Sequence, residues 1–265
     1  MALDGFDTFA FTHAGATRTV YTLGAGPAVV VMHEIPGITP QVERFARRVA
    51  ADGFRVYLPH LFGEPGRPIS NGYILAEVAR ACIRREFSVL ARRQASPITE
   101  WLRALCRRAH EARGGPGVGA VGMCITGNFA LALMVDQTVM APVLSQPSLP
   151  FALTKDHRAA LHLSDSALAT IKQRAAGGCP VLGLRFTHDP LCPGERFATL
   201  RRELGPAFDG IEIDSSPGNA YGFTARSHSV LTTDLVDETG HPTRAALDRV
   251  LTLFRNQLRN DAKGA

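Results

Sequence analysis

Short apolar runs alternate with amphipathic segments along most of this chain, and that alternation limits the folds it can adopt. Residues 28–32 (AVVVM) form a continuous run rich in β-branched residues, which is typical of a strand buried on both faces. Residues 41–52 have the periodicity of an amphipathic helix, and residues 54–58 form the next apolar run. Strands that alternate with helices usually pair in parallel, since each helix crosses the sheet before the next strand begins. The sequence therefore predicts an α/β fold with a mostly parallel central sheet and helices on both faces.

The same pattern continues through the rest of the sequence. The apolar run at residues 118–121 is the predicted central strand. Before it we expect an edge hairpin, formed by residues 6–13 and 18–23, and two helices, at residues 73–89 and 97–113. After it we expect further strands at 141–145, 181–187 and 211–214, and further helices at 167–176, 195–204 and 243–259. No linker divides the sequence. We therefore expect one domain over residues 1–265, with a helical excursion at about residues 73–113.

Composition argues against several classes of protein. No apolar run approaches the ~18–20 residues that a membrane span needs, and the first residues lack the features of a signal peptide. The net charge is +5, but the arginines occur at helical spacing without interleaved aromatic residues, which favours solvated helix faces over a nucleic-acid surface. The five cysteines are irregularly spaced, which argues against a disulfide framework. We expect a cytoplasmic monomer or homodimer that binds neither nucleic acid nor membranes.

Two further motifs do not indicate a bound cofactor. Residues 117–122 spell G-x-G-x-x-G, but these glycines lie before and within the predicted central strand, whereas a dinucleotide site needs them after the strand. The His and Cys residues lack the spacings of a metal site. We therefore expect neither a cofactor nor a metal.

A cysteine stands at the turn between the predicted central strand and the next helix. Cys124 lies in the motif Gly-Met-Cys-Ile-Thr-Gly at residues 122–127. This motif follows the apolar residues 118–121 and precedes an apolar helical segment at residues 128–135. A sharp strand–turn–helix connection of this kind is a nucleophile elbow, which raises one reactive side chain above the sheet. Thr126 occupies a position where elbows favour glycine, and we expect its branched side chain to crowd the turn.

A thiol at an elbow needs a base and a carboxylate to become an effective nucleophile. A free thiol, with a pKa of about 8.5, is mostly protonated at neutral pH. In elbow hydrolases the chain order is nucleophile, acid and histidine. Asp189 lies at the carboxyl end of the predicted strand 181–187, where sites form in parallel sheets. Of the histidines that follow, we favour His228 as the base, because its loop can fold back over Cys124 more directly. His241 remains an alternative, as does a chain that retains no base.

The chain resembles the dienelactone hydrolase family, a cysteine-using branch of the α/β hydrolases, over about residues 25–258. The resemblance rests on four stretches, at residues 29–37 (VVVMHEIPG), 50–59 (AADGFRVYLP), 122–124 (GMC) and 189–193 (DPLCP). It implies the α/β-hydrolase fold. It also implies a hydrolase that cleaves a small carboxylic ester or lactone through a cysteine acyl-enzyme and a catalytic triad.

The resemblance also implies a role for each matching residue. Cys124 would attack the substrate carbonyl, and Asp189 would orient the catalytic histidine. Glu34 would contact the resting thiol and help convert it to a thiolate when substrate arrives. The backbone N–H groups of Ile35 and Ile125 would form the oxyanion hole.

The sequence departs from the family pattern at the position of the catalytic histidine and in the helical excursion at about residues 73–113. The family's base lies in a Gly-x-x-His-Gly-Phe-like stretch, but here residues 218–223 (GNAYGF) carry Tyr221 in its place. Tyrosine, with a pKa of about 10, is a poor base at neutral pH, so we expect Tyr221 to contact substrate instead. The family's substrate-binding arginines have no residue-by-residue match here. Arg84 and Arg85 are candidates for holding a substrate carboxylate.

The sequence leaves two other functions open. A non-catalytic member of the same fold would keep Cys124 for ligand binding, packing or redox sensing. An acyltransferase would pass the acyl group to an acceptor other than water.

Overall fold

A mixed sheet runs through the centre of the molecule. The computed structural model describes residues 3–83, 96–149 and 153–259. Its strands are β1 (Asp7–His13), β2 (Ala16–Leu23), β3 (Ala28–Met32), β4 (Arg55–Pro59), β5 (Val118–Met123), β6 (Val139–Ser145), β7 (Val181–Phe186) and β8 (Phe208–Ile213). They form an eight-stranded sheet in the order β1-β2-β4-β3-β5-β6-β7-β8. Strand β2 pairs antiparallel with β1 and β4, and the other neighbours pair in parallel. The predicted mostly parallel sheet is confirmed.

Helices cover both faces of this sheet. They are α1 (Pro40–Ala51), α2 (Asn71–Ile83), α3 (Pro97–Arg113), α4 (Gly127–Leu133), α5 (Lys155–Ala159), α6 (Asp165–Ala176), α7 (Gly194–Leu204) and α8 (Pro242–Leu258). Side chains of β3 alternate between the two faces. Val29 and Val31 pack with α1 and α8, whereas Val30 and Met32 pack on the side of α3, α4, α6 and α7. This two-sided burial explains why β3 is apolar at every position.

The predicted elements match the structure to within a few residues at most ends. Ser96 caps α3 by accepting a hydrogen bond from the Thr99 N–H, as expected from a serine before Pro97. Helix α2 is described as far as Ile83, so the rest of the helix predicted at 73–89 lies outside the described residues. The short helix α5 has no counterpart in the sequence prediction. Within the described ranges, no helix has the length and apolarity needed to cross a bilayer.

The carboxyl ends of the parallel strands meet along one edge of the sheet. The turn after β3 begins at His33, the elbow after β5 at Cys124 and the turn after β6 at Gln146. The loop after β7 and the long connection after β8 reach the same edge, because all these strands run in one direction.

Candidate active site

The predicted elbow is a tight left-handed turn at Cys124. This residue has a φ of 55°, and a 3-10 turn over Cys124–Thr126 leads into α4. A Cβ on Gly122 would lie 2.0 Å from the Thr126 carbonyl oxygen, and one on Gly127 would lie 2.6 Å from the Pro147 Cα. Glycine at both positions allows the strand, the turn and the neighbouring β6 turn to approach one another closely. Cys124 is 9% exposed, so its thiol lies at the floor of the site.

His228 and Asp189 meet beside this thiol. The His228 Nδ1 donates to the Asp189 Oδ2 at 2.6 Å, and the imidazole is close enough to the Cys124 side chain for the sulfur to influence its pKa. Burial alone would lower the pKa of His228. The Cys124 sulfur and the Asp189 carboxylate outweigh burial and raise the pKa of His228 well above its usual value. The three side chains have the arrangement of a nucleophile, a base and an orienting acid.

The backbone around His228 is also fixed. The Asp234 Oδ2 accepts hydrogen bonds from the N–H groups of His228 and Ser229, each at 2.9 Å. His228 is therefore held at its ring by Asp189 and at its backbone N–H by Asp234.

Ser148 contacts both Cys124 and His228, and it is not among the site residues predicted from the sequence. Its hydroxyl lies 3.5 Å from the His228 Nε2 and donates to the Gln146 carbonyl at 2.9 Å. Its N–H donates to the Cys124 carbonyl at 3.0 Å. Its place just after a predicted strand, at the carboxyl edge of a parallel sheet, is the sequence signal that could have identified it.

Glu34 is a buried carboxylate held by three side chains. It accepts hydrogen bonds from the Gln146 Nε2 at 3.0 Å, from the Ser229 hydroxyl at 2.8 Å and from the Thr232 hydroxyl. Burial raises the pKa of Glu34, while these hydrogen bonds and the charge of His228 act in the opposite direction. Within the described residues, none of its hydrogen bonds reaches the Cys124 thiol. Glu34 connects the turn after β3 to the loop of the base and to the turn after β6.

The two expected oxyanion-hole donors lie in the turns that follow the neighbouring strands β3 and β5. Ile125 directly follows Cys124 in the 3-10 turn, and Ile35 directly follows Glu34 in the turn after β3. Among the hydrogen bonds of described loops, turns and caps, none uses the N–H of Ile35 or Ile125. Both amides are therefore candidates for binding a substrate oxygen.

Thr126 is accommodated in the elbow, whereas the sequence predicts that its branched side chain crowds the turn. Its side chain is fully buried, and its hydroxyl accepts a hydrogen bond from the Met123 N–H at 2.9 Å. The same hydroxyl lies 2.9 Å from the carbonyl oxygens of Met32 and Met123, either of which can accept its proton. The branched side chain is accommodated because its oxygen pairs with backbone groups of both adjacent strands.

Tyr221 and His241 contact each other at the start of α8, and the remaining predicted residues lie outside the described chain. Tyr221 is 52% exposed, and its ring packs edge-on against the His241 ring, with 5.0 Å between centroids. His241 caps α8, where its Nδ1 accepts from the Thr243 hydroxyl at 2.8 Å and lies 3.4 Å from the Thr243 N–H. Arg84 and Arg85 lie outside the described residues.

The other described thiols differ from Cys124 in their surroundings. Cys106, Cys179 and Cys192 are buried and form no disulfide. Burial raises the pKa of all three thiols, to about 11 for Cys179 and about 12 for Cys192. Within the described part of the chain, no group of three or more His, Cys, Asp or Glu side chains could hold a metal ion.

Comparison with known proteins is consistent with this architecture. The model of the dienelactone hydrolase family matches residues 15–258. A dienelactone hydrolase structure from Anabaena variabilis is 15% identical with a TM-score of 0.60, over 96% of this chain and 100% of that one. A dienelactone hydrolase-like promiscuous phosphotriesterase from metagenomic libraries is 16% identical with a TM-score of 0.60, over 96% and 98%.

A more distant match is the thioesterase domain from the curacin biosynthetic pathway, which is 10% identical with a TM-score of 0.54, over 94% of this chain and 100% of that one. No curated protein sequence matches the chain significantly. At such low identities the structural matches establish the fold alone.

Proposed function

The chain belongs to the dienelactone hydrolase family, and on that premise we propose that this hydrolase cleaves a carboxylic ester or lactone through a Cys124 acyl-enzyme. The observation that carries the proposal is the 2.6 Å hydrogen bond between His228 and Asp189, beside the thiol at the left-handed turn. Neither a metal nor an organic cofactor takes part in the proposed reaction.

In the first half of the reaction the cysteine is acylated. The Cys124 thiol gives its proton to His228, and the sulfur attacks the carbonyl carbon to form a C–S bond. The carbonyl electron pair moves onto oxygen, where the N–H groups of Ile35 and Ile125 stabilise the negative charge. When the carbonyl re-forms, the C–O bond to the alcohol breaks. The leaving oxygen takes the proton from His228, and a thioester remains.

In the second half of the reaction water releases the acid. His228 takes a proton from a water molecule, whose oxygen attacks the thioester carbonyl. The resulting oxyanion occupies the same pair of N–H donors. Its collapse breaks the C–S bond, and the thiolate recovers its proton from His228. Asp189 keeps the imidazole in one orientation and stabilises its charged form in both halves.

We propose that Glu34 holds the loop that carries His228 in place. Its hydrogen bonds to Ser229 and Thr232 in that loop support this role. Activation of the thiol by Glu34 stays a prediction. A carboxylate-binding role for Arg84 and Arg85 and a substrate contact for Tyr221 also stay predictions.

Selective alkylation tests the proposal directly. We expect iodoacetamide to label Cys124 well before the other thiols, because its sulfur has an imidazole partner whereas burial raises the pKa of Cys106, Cys179 and Cys192. Labelling, followed by mass spectrometry, should abolish hydrolysis of p-nitrophenyl acetate in parallel. Cys124→Ala should lose at least about 10³-fold in kcat/KM. The matched control Cys179→Ser should keep wild-type activity, since it alters a thiol remote from the imidazole.

Other outcomes would favour other functions. Uniform or absent labelling together with no esterase activity would favour a non-catalytic binding protein. Ester products formed from added alcohols would favour acyl transfer. Turnover of a phosphotriester that survives Cys124→Ala would contradict the proposed nucleophile.

A further inference from the structure

The ladder between β3 and β5 stops just short of the proposed oxyanion hole. Its last pair is Met32 with Gly122. Beyond that pair, the Thr126 hydroxyl accepts from the Met123 N–H at 2.9 Å and lies within donating distance, 2.9 Å, of the Met32 carbonyl. The Met123 and His33 carbonyl oxygens lie 2.9 Å and 3.3 Å from the same hydroxyl. A side-chain oxygen therefore provides the next connection between these strands.

The proposed oxyanion donors belong to the two segments that this hydroxyl joins. Ile35 lies three residues after Met32, and Ile125 lies immediately before Thr126. Two N–H donors stabilise one oxygen only when both lie about 2.7–3.1 Å from it, so small changes in their separation matter. A contact that fixes β3 against the elbow also fixes that separation.

His33 fixes the orientation of the first donor. Its Nε2 accepts from the Leu61 N–H at 3.0 Å, so its Nδ1 carries the proton and donates to the Glu34 carbonyl at 3.1 Å. Burial lowers the pKa of His33 to about 3, so the ring stays neutral and keeps this pattern. In a planar trans peptide the C=O and the next N–H point in opposite directions. Holding the Glu34 carbonyl therefore directs the Ile35 N–H away from His33.

We propose that Thr126 is a positioning residue that sets the distance between the two oxyanion-hole donors. This inference rests on the proposed function, because it requires a reaction with an oxyanion intermediate. Replacing the hydroxyl by a methyl group leaves the Met123 N–H and the Met32 carbonyl without their bridge. The strand end and the elbow then separate, and the transition state loses part of its stabilisation while bound substrate loses little.

The experiment compares Thr126→Val, which keeps the shape but lacks the hydroxyl, with Thr126→Ser, which keeps the hydroxyl. Loss of one oxyanion donor typically costs about 10²–10³ in kcat. For a displaced donor we expect kcat of Thr126→Val on p-nitrophenyl acetate to fall by about 10- to 100-fold, with KM changed less than about threefold. Thr126→Ser should stay within about threefold of wild type.

Alkylation separates this role from general damage to the elbow. Iodoacetamide needs the activated sulfur but forms no oxyanion, so Thr126→Val should be alkylated at Cys124 at close to the wild-type rate. Unchanged kcat, or kcat and alkylation falling together, would overturn the inference. If Thr126→Val does not fold, Thr126→Ala gives the same comparison, and wild-type kcat in that variant would overturn the inference. Failure of the proposed function would look different, since wild type itself would then lack turnover or keep it after Cys124→Ala.

Discussion

At the scale of single residues, the proposed nucleophile Cys124 occupies a backbone conformation that a residue with a side chain disfavours. Cys124 has a φ of 55°, where a non-glycine residue pays roughly 1–2 kcal/mol. The strain persists because Gly122 and Gly127 let the flanking segments close around the turn. Their missing side chains make room for a thiol that points toward His228.

This strain predicts an unusual order of stability among variants that lack the thiol. Cys124→Gly should be more stable than Cys124→Ala by about 1 kcal/mol, because glycine accepts a positive φ whereas alanine keeps the strained Cβ. Urea unfolding followed by circular dichroism measures the difference, and both variants should be inactive. If alanine were the more stable of the two, the turn would not be strained at this residue.

A second residue-scale prediction concerns the titration of the base. Cys124 and Asp189 together raise the pKa of His228, so once His228 has taken the thiol proton it should hold that proton to a pH well above 6.5. Asp189→Asn removes one of these charges, so the titration midpoint of the His228 ring should move to lower pH. We expect kcat/KM to fall by about 10²–10⁴ in the same variant. NMR of the imidazole Cε1 proton follows the titration, and an unchanged midpoint would contradict the assigned pairing.

At the scale of elements, the sequence predicts which segments form the site better than which side chains meet there. Periodicity and turn residues predict the strand, the elbow and the helix around Cys124, since those signals are local. Ser148 has only its place just after a strand as a local signal, and Thr232 has none, because their partners His228 and Glu34 lie far away in sequence. The sequence predicts that Thr126 crowds the turn, because a local pattern does not include the Met32 carbonyl that lies 2.9 Å from its hydroxyl.

The elbow gives a prediction at this scale. Gly122→Ala should destabilise the protein by about 2 kcal/mol or more and remove most activity, because its Cβ would lie 2.0 Å from the Thr126 carbonyl oxygen. The control is Gly72→Ala in α2, where no atom lies within 4 Å of the added Cβ. That variant should unfold at or above the wild-type temperature, since alanine favours helix. Equal melting temperatures for the two variants, measured by calorimetry, would argue against a sterically closed elbow.

At the scale of the whole molecule, the parallel sheet gathers the site from distant parts of the chain. Glu34, Cys124, Asp189 and His228 each follow a different strand, and they meet because those strands end at the same edge. The sequence could predict this edge from strand order and motif spacing. It could not predict that Tyr221 lies half-exposed against His241, because that position depends on the path of the long connection after β8.

The ionisation of buried Glu34 makes the free energy of unfolding depend on pH. Burial raises the pKa of Glu34 in the folded protein, whereas in the unfolded chain it titrates near about 4.3. Below that pH both states are protonated, and the group adds no pH dependence. As pH rises through the raised pKa, folding must bury a charge, so the stability that Glu34 contributes falls.

Glu34→Gln removes this ionisation while keeping the shape of the side chain. We expect the difference in free energy of unfolding, wild type minus variant, to be largest at acidic pH and to shrink as pH rises toward neutral. Urea titrations at several pH values measure it. The control is Glu111→Gln, which removes a carboxylate from the exposed surface. A difference that grew with pH would contradict this expectation. It would mean that the hydrogen bonds from Gln146, Ser229 and Thr232 stabilise the charged Glu34 by more than burial destabilises it.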